Sequence, residues 1–299
     1  MLLNDLYDRQ LIHPPKWLPS NCHFLTMMGS MAYGVSSDSS DMDIYGWAIP
    51  PKEDVFPHLR GEIPGFGRQT NRFDQYQEHH IQDPTALSGK GREYDFSIYS
   101  IVKYFHLCME NNPNMIDSLF VPQTAILHMT RIGELVRQQR RSFLHKGCWH
   151  KFKGYAYSQL HKMSSKNPVG KRLELREKFG FDVKFGYHVV RLLSECEQIL
   201  REGELDLQEK SRREHMKAIR RGDVSEDEIR RWATEKEAQL ERLYESSSLP
   251  YGPDEKKIKD LLLHCLEEHY GSLDQALVRP DAADIALQEI AKIIDRYRR

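Results

Sequence analysis

From residue 22 to residue 49 the apolar positions come in short, dense runs. Phe24-Leu25-Thr26-Met27-Met28 is the first; after a small polar turn and a polar loop over residues 35–40, residues 41–49 (DMDIYGWAI) form the second. Runs of this length, bounded by Gly and Ser, predict buried strands. A third strand signal lies at Tyr94-Asp95-Phe96. Behind it Ile98, Ile101, Val102, Phe105 and Met109 follow a helical period that Asn111-Asn112-Pro113 ends. The intervening residues 52–91, rich in Gly, Pro, His and Gln, predict a long loop around a short strand near residues 73–81. Past residue 150 only the helical period remains. Residues 155–166 read as one helix and 182–200 as another, whose Phe185, Val189, Leu192, Cys196 and Ile199 form one apolar stripe. Ser225-Glu226-Asp227-Glu228 has the form of a capped helix start, residues 246–253 are a break, and amphipathic segments follow at 254–270 and 282–298. The pattern predicts an α+β chain, with a sheet and flanking helices over residues 1–145 and a mainly helical domain over residues 146–299. The last apolar seams suit either a small bundle or a homodimer contact.

The polar positions at the ends of these runs carry the chemistry. Gly29-Ser30 lets the backbone turn sharply and expose amide N–H groups and a hydroxyl, a cradle suited to phosphate. Residues two apart on a strand share a face, so Asp41 and Asp43 point the same way. Two neighbouring carboxylates repel unless a cation lies between them, and hard oxygen ligands suit Mg²⁺ or Mn²⁺. An EF-hand loop is excluded because its fifth and twelfth positions fall on Tyr45 and Lys52; a Walker loop is excluded because no Gly-Lys-Ser/Thr follows. A lone Asp-x-Asp is commonly just solvated. The ordered set of strand, Gly-Ser turn, spacer and Asp-x-Asp strand is much rarer.

Gly29-Ser30-x-Ala32-Tyr33-Gly34 with Ser40-Asp41-x-Asp43-x-x-Gly46 resembles the signature of the DNA polymerase β nucleotidyltransferase superfamily. More narrowly it resembles the bacterial and phage RNA-repair-pathway nucleotidyltransferases, as do residues 112–120 (NPNMIDSLF) and 184–193 (KFGYHVVRLL). The resemblance implies a polymerase β-like mixed sheet and two-metal transfer of NMP from an NTP to a hydroxyl, with Mg²⁺ or Mn²⁺ as cofactor and pyrophosphate released. It makes Asp41 and Asp43 metal ligands and Gly29 and Ser30 phosphate binders. A third carboxylate on a neighbouring strand is then required. Asp95 is preferred to Glu93, which would share its face; the plain alternative is that Asp95 only caps the following helix. Lys184, His188, Arg191 and Glu195, at i, i+4, i+7 and i+11, form a second and largely cationic stripe. Spacing alone leaves it a solvated face. In similar enzymes a helical domain closes over the triphosphate, which makes Lys184, His188 and Arg191 nucleotide ligands, joined by Lys162, with Glu195 orienting Arg191.

Composition narrows the partners. A net charge of −1 over 299 residues excludes a generally cationic coat, so any RNA surface is local. The candidate lies at residues 131–153, where Arg131, Arg137, Arg140, Arg141, Lys146, Lys151 and Lys153 face only Glu134 in sequence. A solvated helix face is the alternative to a phosphate track. Trp149, Phe152, Tyr155 and Tyr157 follow closely enough to stack on bases. His145, Cys148 and His150 have zinc-ligand chemistry but no second ligand pair. Five cysteines without a Cys-x-x-Cys pair argue against a disulfide framework and for a reducing cytoplasm. No apolar run approaches a membrane span. The resulting expectation is a cytoplasmic nucleotidyltransferase acting on an RNA end. A protein hydroxyl as acceptor and an inactive nucleotide-binding or RNA-binding module are the alternatives.

Overall fold

Among the described residues, five strands form one mixed sheet: β1 (Cys22–Met27), β2 (Met42–Ala48), β3 (Gln75–Asp83), β4 (Arg92–Ser100) and β5 (Ile126–Met129). The computed structural model describes residues 1–35, 41–63, 65–67, 71–165, 170–271, 290 and 294. Across the sheet the order is β3-β4-β2-β1-β5; β2 and β4 are parallel, and the other neighbours antiparallel. Alternation of side chains sorts the two faces. Met42, Ile44, Tyr94, Phe96 and Ile98 pack in one core with Leu3 and Leu6 of α1 (Leu2–Asp8). Asp43, Glu93 and Asp95, at the intervening positions, therefore project from the opposite face. Gly46 permits the close approach of β1, because a Cβ there would collide with the Phe24 carbonyl oxygen.

The helix after β4 begins later than the periodicity predicts. Residues 94–100 pair with β2 on one side, and much of that stretch with β3 on the other, so two ladders outcompete a helical turn and Ile98 is strand core. Helix α2 (Ile101–Met109) starts on Ser100, whose Oγ accepts the Lys103 amide at 3.2 Å, and Val102 is exposed. Asp95 lies in mid-strand and caps nothing. Asn112 ends the intervening turn and caps α3 (Pro113–Phe120) by accepting the Asn114 and Met115 amides.

After α4 (Arg131–Gln138) the described chain is helical: α5 (Cys148–Ser165), α6 (Lys171–Phe179), α7 (Val183–Glu202), α8 (Lys210–Arg221), α9 (Glu226–Ser246) and α10 (Glu255–Tyr270). Helix α5 starts at Cys148 rather than at Tyr155, because Trp149, Phe152, Ala156 and Met163 recur at helical spacing and are buried. Helix α7, capped by Asp182, is surrounded by α5, α8 and α9. Arg191 and Glu195, read from spacing as a stripe open to solvent, are consequently inside. Helix α9 opens on the expected capping box of Ser225 and Glu228. The larger core runs from Phe24 on β1 to Leu266 on α10. Ser40, Lys166 and, apart from residues 290 and 294, the predicted segment 282–298, one of the two seams considered for a homodimer contact, lie outside the described residues.

Helix α10 lies against α2 and α4, and its end is tied to the sheet. Buried His23 on β1 places Nε2 2.9 Å from His269 Nδ1 and Nδ1 2.8 Å from Thr130 Oγ1, while the Tyr270 hydroxyl donates to the Pro50 carbonyl. Burial, with His269 and His128 adding to it, pushes the His23 imidazole down to about 4. Its folded-state pKa lies below the unfolded value, so the unfolded chain binds the extra proton between the two. This contribution to stability is full above about pH 6.5 and is lost as pH falls towards 4. Urea unfolding should therefore show stability declining from pH 6.5 to 5, ahead of most carboxylate titration, and His23→Gln should flatten that slope. An unchanged slope in the variant would mean that the His23–His269 contact is not what titrates.

Candidate active site

The parallel register of β2 and β4 pairs Asp43 with Asp95. The two carboxylates are neighbours across one rung of the ladder, where strands are spaced by about 4.8 Å. Asp41 lies two residues before Asp43, just ahead of β2, and Glu93 two residues before Asp95. Burial lifts the Asp43 carboxyl above its usual range, and the charges of Asp95 and Asp41 lift it further; Lys184 and His79 pull the other way. A carboxylate destabilised by its neighbours in this way is relieved by a cation, so the donor set fits a divalent metal.

Beside the pair, the chain leaves β1 and turns at Gly29, φ +60°, into the short helical turn Gly29–Ala32. The Met28 amide donates to the Asp43 carbonyl at 2.7 Å, which ties the turn to β2. A Cβ on Gly29 would collide with Oδ2 of Asp43, so glycine is required by contact as well as by conformation. Ser30 follows, half-buried. A cleft with about 560 Å³ of empty volume opens here. Met28, Gly29, Asp43 and Tyr45 line its sheet side, Asn114 its α3 side, and Tyr155, Gln159, His188 and Arg191 its α5 and α7 side.

The expected nucleotide ligands divide into several kinds. Lys184, half-buried on the first turn of α7, acts on Asp43 through its charge. His188 lines the cleft, but burial and then the cations Arg191, Arg172, Lys184 and Arg220 push its imidazole well below the usual range. It is a neutral hydrogen-bonding group rather than part of a cationic stripe. Arg172 and Arg220 were not singled out by sequence. Arg172 pairs with Asp182 at 3.2 Å, and Arg220 donates to the Val35 carbonyl at 2.5 Å. Both come from strongly charged helices in which no spacing marks them. Lys162 is half-buried one turn past Gln159 and outside the cleft lining.

Arg191 is held from behind. It donates to the Tyr33 hydroxyl and to Asp117 Oδ2, the Tyr33 hydroxyl donates to the same oxygen at 2.7 Å, and Arg191 Nε lies 3.9 Å from Glu195 Oε2. Burial raises the pKa of both the Asp117 and Glu195 carboxyls. Tyr33 and Asp117 belong to the motif segments that carry the family resemblance, yet periodicity gave neither of them a role. Tyr45, Asn114, Tyr155 and Gln159 are further cleft residues that the sequence reading assigned no part in nucleotide binding.

The basic stretch loses its premise in three dimensions. Glu204 pairs with Arg140 and Arg141, Glu110 with Lys151, Glu237 with Lys153 and Glu268 with Arg131. Arg137 donates to the Leu119 and Val121 carbonyls, and Lys146 is buried, donating to the Glu245 carbonyl at 3.2 Å. Trp149 and Phe152 are core residues, closed to base stacking, whereas Tyr155 and Tyr157 are exposed. Nor do His145, Cys148 and His150 gather: His145 Nε2 lies 2.8 Å from the Met109 carbonyl oxygen, Cys148 is buried and His150 packs against Tyr244. Among the described residues, the His/Cys/Asp/Glu group close enough to share a metal is His80, Glu93 and Asp95.

With this geometry in view, the likeness to known proteins is specific. A model of the RNA repair pathway DNA polymerase beta family (RlaP) matches residues 16–264. The crystal structure of a nucleotidyltransferase-like protein from Exiguobacterium sibiricum 255-15 aligns over 98% of this chain and 90% of its own, at 10% identity and a TM-score of 0.28, a distant likeness. No curated protein sequence matches. No described helix is long and apolar enough to cross a membrane.

Proposed function

The chain belongs to the RNA repair pathway DNA polymerase beta family, and on that premise we propose that it transfers a nucleoside monophosphate from an NTP to a hydroxyl acceptor, releasing pyrophosphate. The observation that carries this reading is the β2–β4 register, which sets Asp43 beside Asp95 and against the Gly29 turn, on a cleft that Arg191 lines from the far side. Asp41, Asp43 and Asp95 would hold Mg²⁺ or Mn²⁺, which when bound neutralises phosphate charge and favours ionisation of the attacking hydroxyl. Asp95 suits the third carboxylate better than Glu93: it is the direct partner of Asp43, while Glu93 meets His80 at 2.6 Å and Gln82 at 2.8 Å. Gly29 and Ser30 offer backbone N–H groups and a hydroxyl to the phosphates. Neutral His188 and Arg191 line the cleft opposite and would meet them there; Lys184, on the first turn of α7, and Lys162, on the α5 face shared with Tyr155 and Gln159, would add cations at its rim.

On this reading residues 1–145 carry the chemistry and residues 146–299 bind nucleotide and substrate. Five free, buried thiols suit a reducing cytoplasm. The acceptor is an RNA end, supported by the family rather than by residues 131–153, whose charges are met within the fold. That neutralisation favours one second reading, a protein hydroxyl as acceptor. Incubation with each α-phosphate-labelled NTP, Mg²⁺ or Mn²⁺, and total RNA or a cell lysate separates the outcomes. Label in RNA is the expected result. Label confined to protein moves the acceptor to a protein hydroxyl, and no label under any condition rejects the activity.

A further inference from the structure

Strand β3 is irregular where it passes the carboxylates. Its register against β4 slips between Glu78, opposite Phe96, and Ile81, opposite Tyr94, so His79 and His80 together face Asp95. Strict alternation would send one of two consecutive imidazoles to the other side of the sheet; a bulge re-aims it. His80 takes φ +58°. Its amide donates to Asp95 Oδ1 at 2.7 Å and its Nδ1 meets Glu93 Oε1 at 2.6 Å, while His79 Nδ1 lies 3.6 Å from the same Asp95 oxygen. One ligand atom from each of His80, Glu93 and Asp95 falls within 4.8 Å of the others.

We propose that His80, Glu93 and Asp95 form a site for a divalent transition metal of the cobalt-to-zinc part of the first row, adjoining the Asp41–Asp43 pair. The chemistry of the donors selects the ion. Mg²⁺ is held by oxygen and gives up its waters reluctantly, whereas an imidazole nitrogen among carboxylates favours the later first-row ions. Two carboxylates balance the ion's charge, and the exposed His80 ring leaves the site open to solvent for loading. The place of this site beside the transfer centre rests on the nucleotidyl-transfer reading; the ligand set rests on the bulge alone. The site makes Asp95 a shared residue, its carboxylate held by the His80 amide and its backbone paired with that of Asp43.

Co²⁺ is a suitable probe, because nitrogen and carboxylate ligation gives it a visible absorption band. Wild-type protein titrated with Co²⁺ should develop that band and keep it in excess Mg²⁺. His80→Gly keeps the positive φ and the amide donated to Asp95, so it removes the imidazole without straining the bulge. It should weaken Co²⁺ binding by about tenfold or more, a loss that even an outer-shell partner of a metal can cost, and Glu93→Gln should do likewise. Asp41→Asn, which disables transfer on the reading above, should leave the band in place. A wild type that binds no Co²⁺, or a His80→Gly variant that titrates like wild type, overturns the site whatever the transfer assay shows. Absent transfer with an intact, His80-dependent band would instead reject the activity and keep the site.

Discussion

Asp43→Asn is expected to cut nucleotidyl transfer by roughly a thousandfold, a loss of several kcal/mol of transition-state stabilisation, without weakening the fold. The two halves of this expectation have one cause. Asp43 is held above the usual carboxyl range by burial and by Asp95 and Asp41, so its ionised form opposes folding at neutral pH. Asparagine keeps the shape and removes the repulsion, and with it a metal-binding oxygen charge. Label transfer at matched metal concentration should collapse while the melting temperature stays level or rises. Full turnover in the variant would reject the site. A sharply lowered melting temperature would show that the carboxylate is structural and that the electrostatic account of Asp43 is wrong.

Arg191→Ala should cost about 3–5 kcal/mol of folding stability, because it strands buried acids rather than because it trims a surface arm. Asp117 loses its cation and Glu195 its nearest positive charge, both in the interior of α7's packing. A solvated stripe would predict almost no change in stability, and a free phosphate clamp would predict a loss confined to NTP use, about 1.5–3 kcal/mol for one charge-assisted contact. Urea unfolding distinguishes these outcomes. Arg191→Met combined with Asp117→Asn should recover much of the loss, since one stranded charge is then removed together with its partner. Wild-type unfolding of Arg191→Ala with a raised KM for NTP would restore the free-arm view.

The contrast between these residues shows what local pattern can and cannot carry. That Asp41 and Asp43 share a strand face beside the Gly29 turn was readable because a strand's two-residue period and a Gly-Ser turn are properties of adjacent residues; Asp95 was singled out only by the family resemblance, and its pairing with Asp43 is a property of two strands. The start of α2 was misplaced because Ile98 satisfies both periods, strand alternation with Phe96 and helical spacing with Ile101, and only pairing to β2 and β3 decides between them. Arg191 and Glu195 looked like solvent residues because charge is the usual mark of a surface; their partners Asp117 and Tyr33 lie 74 and 158 residues from Arg191 in the chain. The counter-charges of the basic stretch were hidden for the same reason, arriving from Glu110, Glu204, Glu237 and Glu268. The bulge at His79 and His80 leaves no trace in composition or period, since it is a mismatch between two strands and belongs to neither sequence alone.

The in-register pairing of Asp43 with Asp95 has one more consequence. The backbone separation set by a rung of a parallel ladder is a lattice constant of the sheet, maintained by amides on both sides of each strand and relaxed only when the sheet itself opens. Loops and lids can cover the pair or uncover it, but they have no lever with which to spread it. Adjustment to a particular nucleotide or acceptor therefore has to come from side chains around the pair, those of the α7 wall and of the β3 bulge, fitted around a backbone gauge that does not change.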